Sequence, residues 1–117
     1  MKLSRLFFCL PILFLAACAV NHDIYYWGKY SETAYQYKKD PTPENRKAHF
    51  NSMLDIVEHA KAKHKKIPPG IYAELGMMEE KDHDNAKALE YFHMEESLFP
   101  ESAPLLNRMI GQIKKGS

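Results

Sequence analysis

The sequence predicts an all-α fold, in which antiparallel helix hairpins are closed by a C-terminal capping helix. Three observations predict it. Apolar and aromatic residues recur at helical spacing in successive windows of the chain. The windows are separated by Asp40-Pro41-Thr42-Pro43, Ile67-Pro68-Pro69-Gly70 and Asp82-His83-Asp84, short breakers of the kind that turn a chain between helices. Small residues, Gly76 and Ala88, stand on either side of the third breaker, where the two arms of a helix hairpin approach most closely.

The first element is an export signal. Lys2 and Arg5 give positive charge to residues 1–5, and residues 6–14 are an apolar run of about nine. That length lies within the ~7–15 of a secretory signal and well short of the ~20 that span a bilayer. Pro11 within the run also disfavours a permanent membrane helix. Leu15-Ala16-Ala17-Cys18 follows and resembles the lipobox of bacterial lipoproteins. The small residues alone would serve an ordinary secreted protein with a coincidental cysteine; the lipobox adds Leu three positions before the Cys. The resemblance implies a signal peptide over 1–17, a lipidated Cys18 as the first mature residue, and a tether over 18–23. About three acyl chains would then sit in the bilayer, each buried CH₂ contributing ~0.8 kcal/mol. In Gram-negative lipoproteins an Asp after the Cys retains the protein at the inner membrane. Ala19 stands there, which implies an outer-membrane location on the periplasmic face.

Removal of the signal leaves about 100 residues, enough for one small domain. Taking Lys2 and Arg5 from the 16 Lys and Arg leaves 14 against 15 Asp and Glu, a net charge of about −1. Such neutrality gives nucleic-acid binding no support. Of the two cysteines, Cys9 departs with the signal and Cys18 is consumed by lipid, so no thiol remains for a disulfide or a nucleophile. The five tether residues after Cys18, 19–23, reach less than ~20 Å, which holds the domain close to the membrane.

The domain proper is expected over 24–115. Residues 24–38 read as a helix capped by Asp23, with Trp27, Tyr30, Ala34 and Tyr37 on one face. Two readings of its aromatic residues compete: Trp27 and Tyr30 as core against the next helix, or Tyr25, Tyr26 and Trp27 grazing lipid headgroups. Thr42 and Pro43 open a longer helix over about 44–65, with Phe50, Met53, Leu54, Val57 and Ala60 as its apolar face. Its tail holds Lys61, Lys63, Lys65 and Lys66. Cations suit a helix C-terminus and solvent; an anionic-lipid or acidic-partner patch is the alternative. Helices over 70–81 and 84–99 form the next hairpin, stopped by Pro100. Ser102 caps a last helix over about 104–114, with Leu105, Leu106, Met109, Ile110 and Ile113 inward.

Tyr72, Leu75, Gly76, Ala88, Phe92 and Pro100 fall at offsets 0, 3, 4, 16, 20 and 28. This spacing resembles the tetratricopeptide pattern of ~34 residues, although Glu79 stands where that pattern has Tyr. Repeat arrays need about three units. At most two plus a cap are present; the atypical long first pair can make up the deficit, or a partner can complete the stack, which would make the chain a subunit of an assembly. In tetratricopeptide proteins the first helix of each hairpin lines the concave face. The matching positions are Ala73, Met77 and Glu80, expected alongside Tyr26, Tyr30 or Tyr37 of the aromatic helix. With Trp27, these make up the candidate binding surface.

Catalytic motifs are absent from the sequence: no Gly-rich phosphate loop, no HExxH and no GxSxG. The chain is therefore not expected to be an enzyme, nor to bind a small-molecule substrate or a cofactor beyond the lipid on Cys18. Six histidines invite a metal reading, but His49, His59 and His64 share no helical face and none has i, i+4 ligand spacing. The pairs Glu79-Glu80 and Glu95-Glu96 point about 100° apart on a helix and read as solvated positions rather than an acid/base dyad.

The lipobox, the Tyr25-Tyr26-Trp27-Gly28-Lys29-Tyr30 segment and the Pro68-Pro69-Gly70-Ile71-Tyr72-Ala73-Glu74-Leu75-Gly76 hairpin start together resemble a family of small, uncharacterised Gram-negative lipoproteins carrying a domain of unknown function. The resemblance implies a periplasmic accessory role beside a curli-secretion-type outer-membrane lipoprotein, with an envelope protein as partner. The competing expectation is an envelope-maintenance protein that acts through membrane and cell-wall contacts.

Overall fold

A computed structural model describes residues 24–116. The signal peptide, Cys18, the tether and the Asp23 cap lie outside the described residues. The domain is all-α, with five α-helices among the described residues: α1 (Tyr30–Lys39), α2 (Pro43–Ala62), α3 (Ile71–Lys81), α4 (Asn85–Leu98) and α5 (Ala103–Gly116). A 3₁₀ turn over Pro100–Ser102 joins the last two.

Residues 24–29 depart from the expected helix and form an extended strap. Tyr25 pairs in parallel with the Lys66 backbone. Gly28 then takes φ +49°, and the Tyr30 N–H bonds the Trp27 carbonyl at 3.0 Å, making a turn from which α1 starts. Aromatic residues favour extended backbone and glycine disfavours helix, so the local propensities oppose the helical periodicity that Trp27 suggests. Trp27 therefore leaves the helical face; Tyr30, Thr33, Ala34 and Tyr37 form it instead.

Thr42 caps α2 as expected, its hydroxyl accepting from the Asn45 N–H at 3.1 Å, with Pro43 in the first turn. The helix is rotated relative to the expected face. Its buried residues are His49, Ser52, Met53, Ile56 and Ala60, while Leu54 is exposed. Hydrogen bonding explains the rotation, since His49 and Ser52 go inward because partners meet them there. Arg46 ties the start of α2 to the end of α3, through Asp82 at 2.9 Å and the Met78 carbonyl at 2.8 Å.

Both α2 and α3 end in the same way. His64 (φ +53°) and His83 (φ +63°) occupy the left-handed position after the helix. Lys65 N–H returns to the Ala60 carbonyl and His64 N–H to Lys61; Asp84 N–H returns to Glu79 and His83 N–H to Glu80. This is the double bond of a Schellman cap, with histidine where glycine is usual. Asp84 then caps α4 by accepting from the Lys87 N–H at 3.1 Å.

Two apolar clusters share the α3–α4 hairpin. The first joins Met53 and Ile56 of α2 to Ile71, Tyr72, Leu75 and Met78 of α3. The second joins Ala88 and Phe92 of α4 to Leu106, Ile110 and Ile113 of α5. Between the two helices Gly76 is obligatory, because a Cβ there would lie 2.5 Å from the Phe92 ring. Of the tetratricopeptide-like positions, Gly76 and Phe92 thus meet within the hairpin, while Tyr72 and Leu75 join the α2 cluster and Ala88 the α5 cluster. On α5, Leu105 points outward and Met109 is half-buried, so the inward face is narrower than expected. Ser102 donates its hydroxyl to the Phe99 carbonyl at 2.6 Å, helping to close the turn before α5.

Candidate functional site

Three helices meet at a knot of polar side chains. His49, on the inward face of α2, is 2% exposed. Its Nε2 lies 2.5 Å from Glu74 Oε1 on α3. A carboxylate only accepts, so Nε2 carries the hydrogen. Nδ1 lies 2.9 Å from the Thr33 hydroxyl of α1, which is also 2.9 Å from the Ser52 hydroxyl. Ser52 donates to the His49 carbonyl at 2.7 Å. Tyr30 donates its hydroxyl to the other Glu74 oxygen at 2.6 Å. Burial, then the hydrogen bond to Glu74 and its charge, push the Tyr30 phenol up to about 12. Thr33 Oγ1 is within 3.0 Å of the Lys29 carbonyl and 3.1 Å of the Tyr30 carbonyl, and so is held by its own helix. The hydroxyl–histidine–carboxylate order is that of a catalytic triad. Here the knot fastens α1, α2 and α3 together.

The aromatic strap packs on the outside of this knot. Tyr26 stacks on His59 with centroids 3.8 Å apart, and its hydroxyl reaches Asp55 at 3.4 Å. The same ring backs Gly28, where a Cβ would sit 3.1 Å from it. Trp27 is 42% exposed and meets Tyr25 and Tyr30 edge-on, at 6.4 and 5.4 Å. Tyr37 stacks over His49 at 6.3 Å. Of the two readings of the aromatic residues, Tyr26 and Tyr30 pack against the first apolar cluster, whereas Trp27 stays at the surface.

The remaining surface candidates fall on α3. Met77 is 41% exposed, Glu80 is half-buried, and Ala73 packs against the second cluster. Ala73 thus faces the α4–α5 side, while Tyr26 and Tyr30 face the α2 side. The structure joins the two sets through Glu74, the neighbour of Ala73, which holds Tyr30.

One carboxylate departs from the expected solvated position. Glu95 is buried, and its Oε1 accepts from the Gly70 N–H at 2.6 Å. It thereby holds the left-handed turn at Gly70 (φ +94°) that opens α3. Above it, Ile67, Tyr72, Met94 and Leu98 line an apolar groove of about 520 Å³, rimmed by Lys61, Glu90 and His93. Periodicity did not reveal the knot or Glu95, since polar residues at inward positions read as breaks in an apolar face. Among the described residues no three His, Cys, Asp or Glu side chains cluster to hold a metal ion, and no helix is long and apolar enough to cross a membrane.

The site is thus an exposed aromatic strap and an apolar groove on a small all-α domain. The family model of a domain of unknown function, DUF4810, matches residues 24–109, and the chain belongs to that family. No curated protein and no solved structure matches it.

Proposed function

We propose that the chain is a lipoprotein anchored through Cys18 to the periplasmic face of the outer membrane. There it acts as a protein-binding accessory or assembly factor, with a curli-secretion-type lipoprotein complex as a candidate partner. The observation that carries this reading is the apolar surface left open on a firmly fastened helical frame. Leu98 is 48% exposed at the groove formed with Ile67, Tyr72 and Met94, and Met77 stands exposed on α3. Methionine and aromatic side chains are adaptable, high-area contacts at binding surfaces. The lipobox and the short tether support the location.

Crosslinking in intact cells, followed by affinity capture of the wild type and of Cys18→Ser, tests it. The expected result is a discrete envelope protein captured with the lipidated chain and lost on Met77→Glu or Leu98→Glu. Capture of no partner would overturn the reading, as would mass spectrometry of a chain that keeps residues 1–17 or carries an unmodified Cys18.

The second reading is envelope maintenance through membrane and cell-wall contacts. It draws support from the meeting of the strap with the lysines that follow α2.

A further inference from the structure

We propose that the strap over 24–29 and the segment over 61–66 form one face that lies on an anionic lipid surface, with Trp27 among the headgroups. The proposal rests on the lipid-anchored reading and adds the orientation of the domain and the chemistry of the surface it meets. In sequence, the aromatic run and the lysine run are some 35 residues apart. The parallel pairing of Tyr25 with Lys66 brings them side by side.

Two of the four lysines are not accounted for by the helix. α2 ends at Ala62 and Lys63 is its C-cap, so Lys65 and Lys66 lie beyond the last turn, where the helix dipole fades. The Schellman turn at His64 fixes the direction in which the chain leaves. Lys61, Lys63, Lys65 and Lys66 are all exposed, and no ion pair engages their ammonium groups among the described residues. Lys29 adds a further exposed cation on the strap, where Glu32 and Asp55 line the same hollow and Asp55 meets the Tyr26 hydroxyl, so the excess of cations lies at the 61–66 end of the face. Ile24, 61% exposed, and Trp27, 42% exposed, stand within two residues of Tyr25 on the strap that pairs with Lys66. Exposed aromatic and aliphatic side chains next to an unpaired cluster of lysines complement an anionic headgroup layer over an apolar interior. The chain length agrees: five residues separate Cys18 from Ile24, a reach of under ~20 Å, so an anchored Cys18 keeps this end nearest the bilayer.

Trp27 is the sole tryptophan and reports on the face directly. The mature lipidated chain is reconstituted on phosphatidylcholine vesicles with and without phosphatidylglycerol. Flotation reads the anchor; Trp27 emission, its protection from iodide and its quenching by lipid-borne quenchers read the face. The expected result is flotation with both vesicles, but a blue-shifted, iodide-protected Trp27 only on the anionic ones. Each of Lys63→Gln, Lys65→Gln and Lys66→Gln should lower the face-down equilibrium about fivefold. About 1 M salt should release it, the Debye length then being ~3 Å. Circular dichroism verifies that the variants stay folded. Equal iodide access to Trp27 on both vesicles would overturn the proposal. So would protection that appears only in native envelopes and not on pure lipid, which would assign the face to a protein partner. Failure to float with neutral vesicles would overturn the anchor reading instead. The Trp27 signal with anionic vesicles would still decide the face.

Discussion

His49 Nε2 and Glu74 Oε1 stand 2.5 Å apart, joining the middle of α2 to the first turn of α3. The carboxylate uses both oxygens, one on His49 and one on Tyr30. Glu74→Ala therefore leaves two donors without partners, one of them on a side chain that is almost wholly buried. Leaving a buried donor unpaired costs about 1–3 kcal/mol. Thermal unfolding followed by circular dichroism should show Glu74→Ala destabilised by about 2 kcal/mol, and Glu74→Gln by less. No loss in Glu74→Ala would show that the knot is dispensable.

Burial first, and the same carboxylate second, make alkaline stability depend on the Tyr30 side chain. Its phenol is raised from 10.0 to about 12 in the fold, chiefly by burial. Between those values the unfolded chain has lost the proton and the native state still holds it. Stability from this group is thus complete below about pH 10 and falls as pH rises through 12. Tyr72 and Tyr91 are also raised, burial again coming first, and add to the slope. Denaturant midpoints measured from pH 8 to 12 should decline above pH 10, less steeply in Tyr30→Phe. An equal slope in that variant would remove Tyr30 from the account. The variant also gives up a hydrogen bond to Glu74, so its midpoint at pH 8 should be lower. For this reason Met77→Glu, on an exposed residue, is a cleaner probe of binding than any change at Tyr30.

Gly76 and Phe92 cannot both be enlarged. A methyl group at Gly76 meets the Phe92 ring at 2.5 and 2.6 Å in the buried centre of the hairpin. Gly76→Ala should destabilise by about 1–3 kcal/mol despite alanine's better helix propensity. Adding Phe92→Leu should recover part of the loss, giving a non-additive double-mutant cycle. Strict additivity would mean that the two positions do not press on each other.

This hairpin was the most legible part of the chain. Tyr72, Leu75, Gly76, Ala88 and Phe92 announce it because contact between two helices requires small and large residues at fixed offsets. The cap at Thr42 was legible for a similar reason, since the side chain that satisfies a helix end lies next to it in sequence. The strap was not. Trp27 fits a helical period by position alone, while the pairing of Tyr25 with Lys66 depends on contact between distant segments. His49, Ser52 and Glu95 were equally hidden, because an inward polar residue is betrayed only by its partner. On the surface, Met77 was found at an exposed position, whereas Ala73 was drawn into packing once α5 took its place.

The left-handed histidines offer a stabilising change. A side chain at positive φ costs about 1–2 kcal/mol that glycine avoids, offset in part by glycine's freedom when unfolded. His64→Gly and His83→Gly should each raise stability by about 0.5–1 kcal/mol, while His64→Ala should not. Melting temperatures of the three variants check this. A lower value for both glycine variants would mean that the imidazoles make contributions beyond the backbone turn.

The division of the apolar interior into two clusters has a further consequence. α5 rests on one of them, through Leu106, Ile110 and Ile113, and the clasp of Tyr30, His49 and Glu74 belongs to the other. Local opening at the C-terminal end can therefore uncover Phe92 and Ala88 while α1, α2 and α3 stay joined. Amide exchange should be fastest to develop along α5, and a protease should find that end first. The domain would then hold a partly open form with a bare apolar shelf.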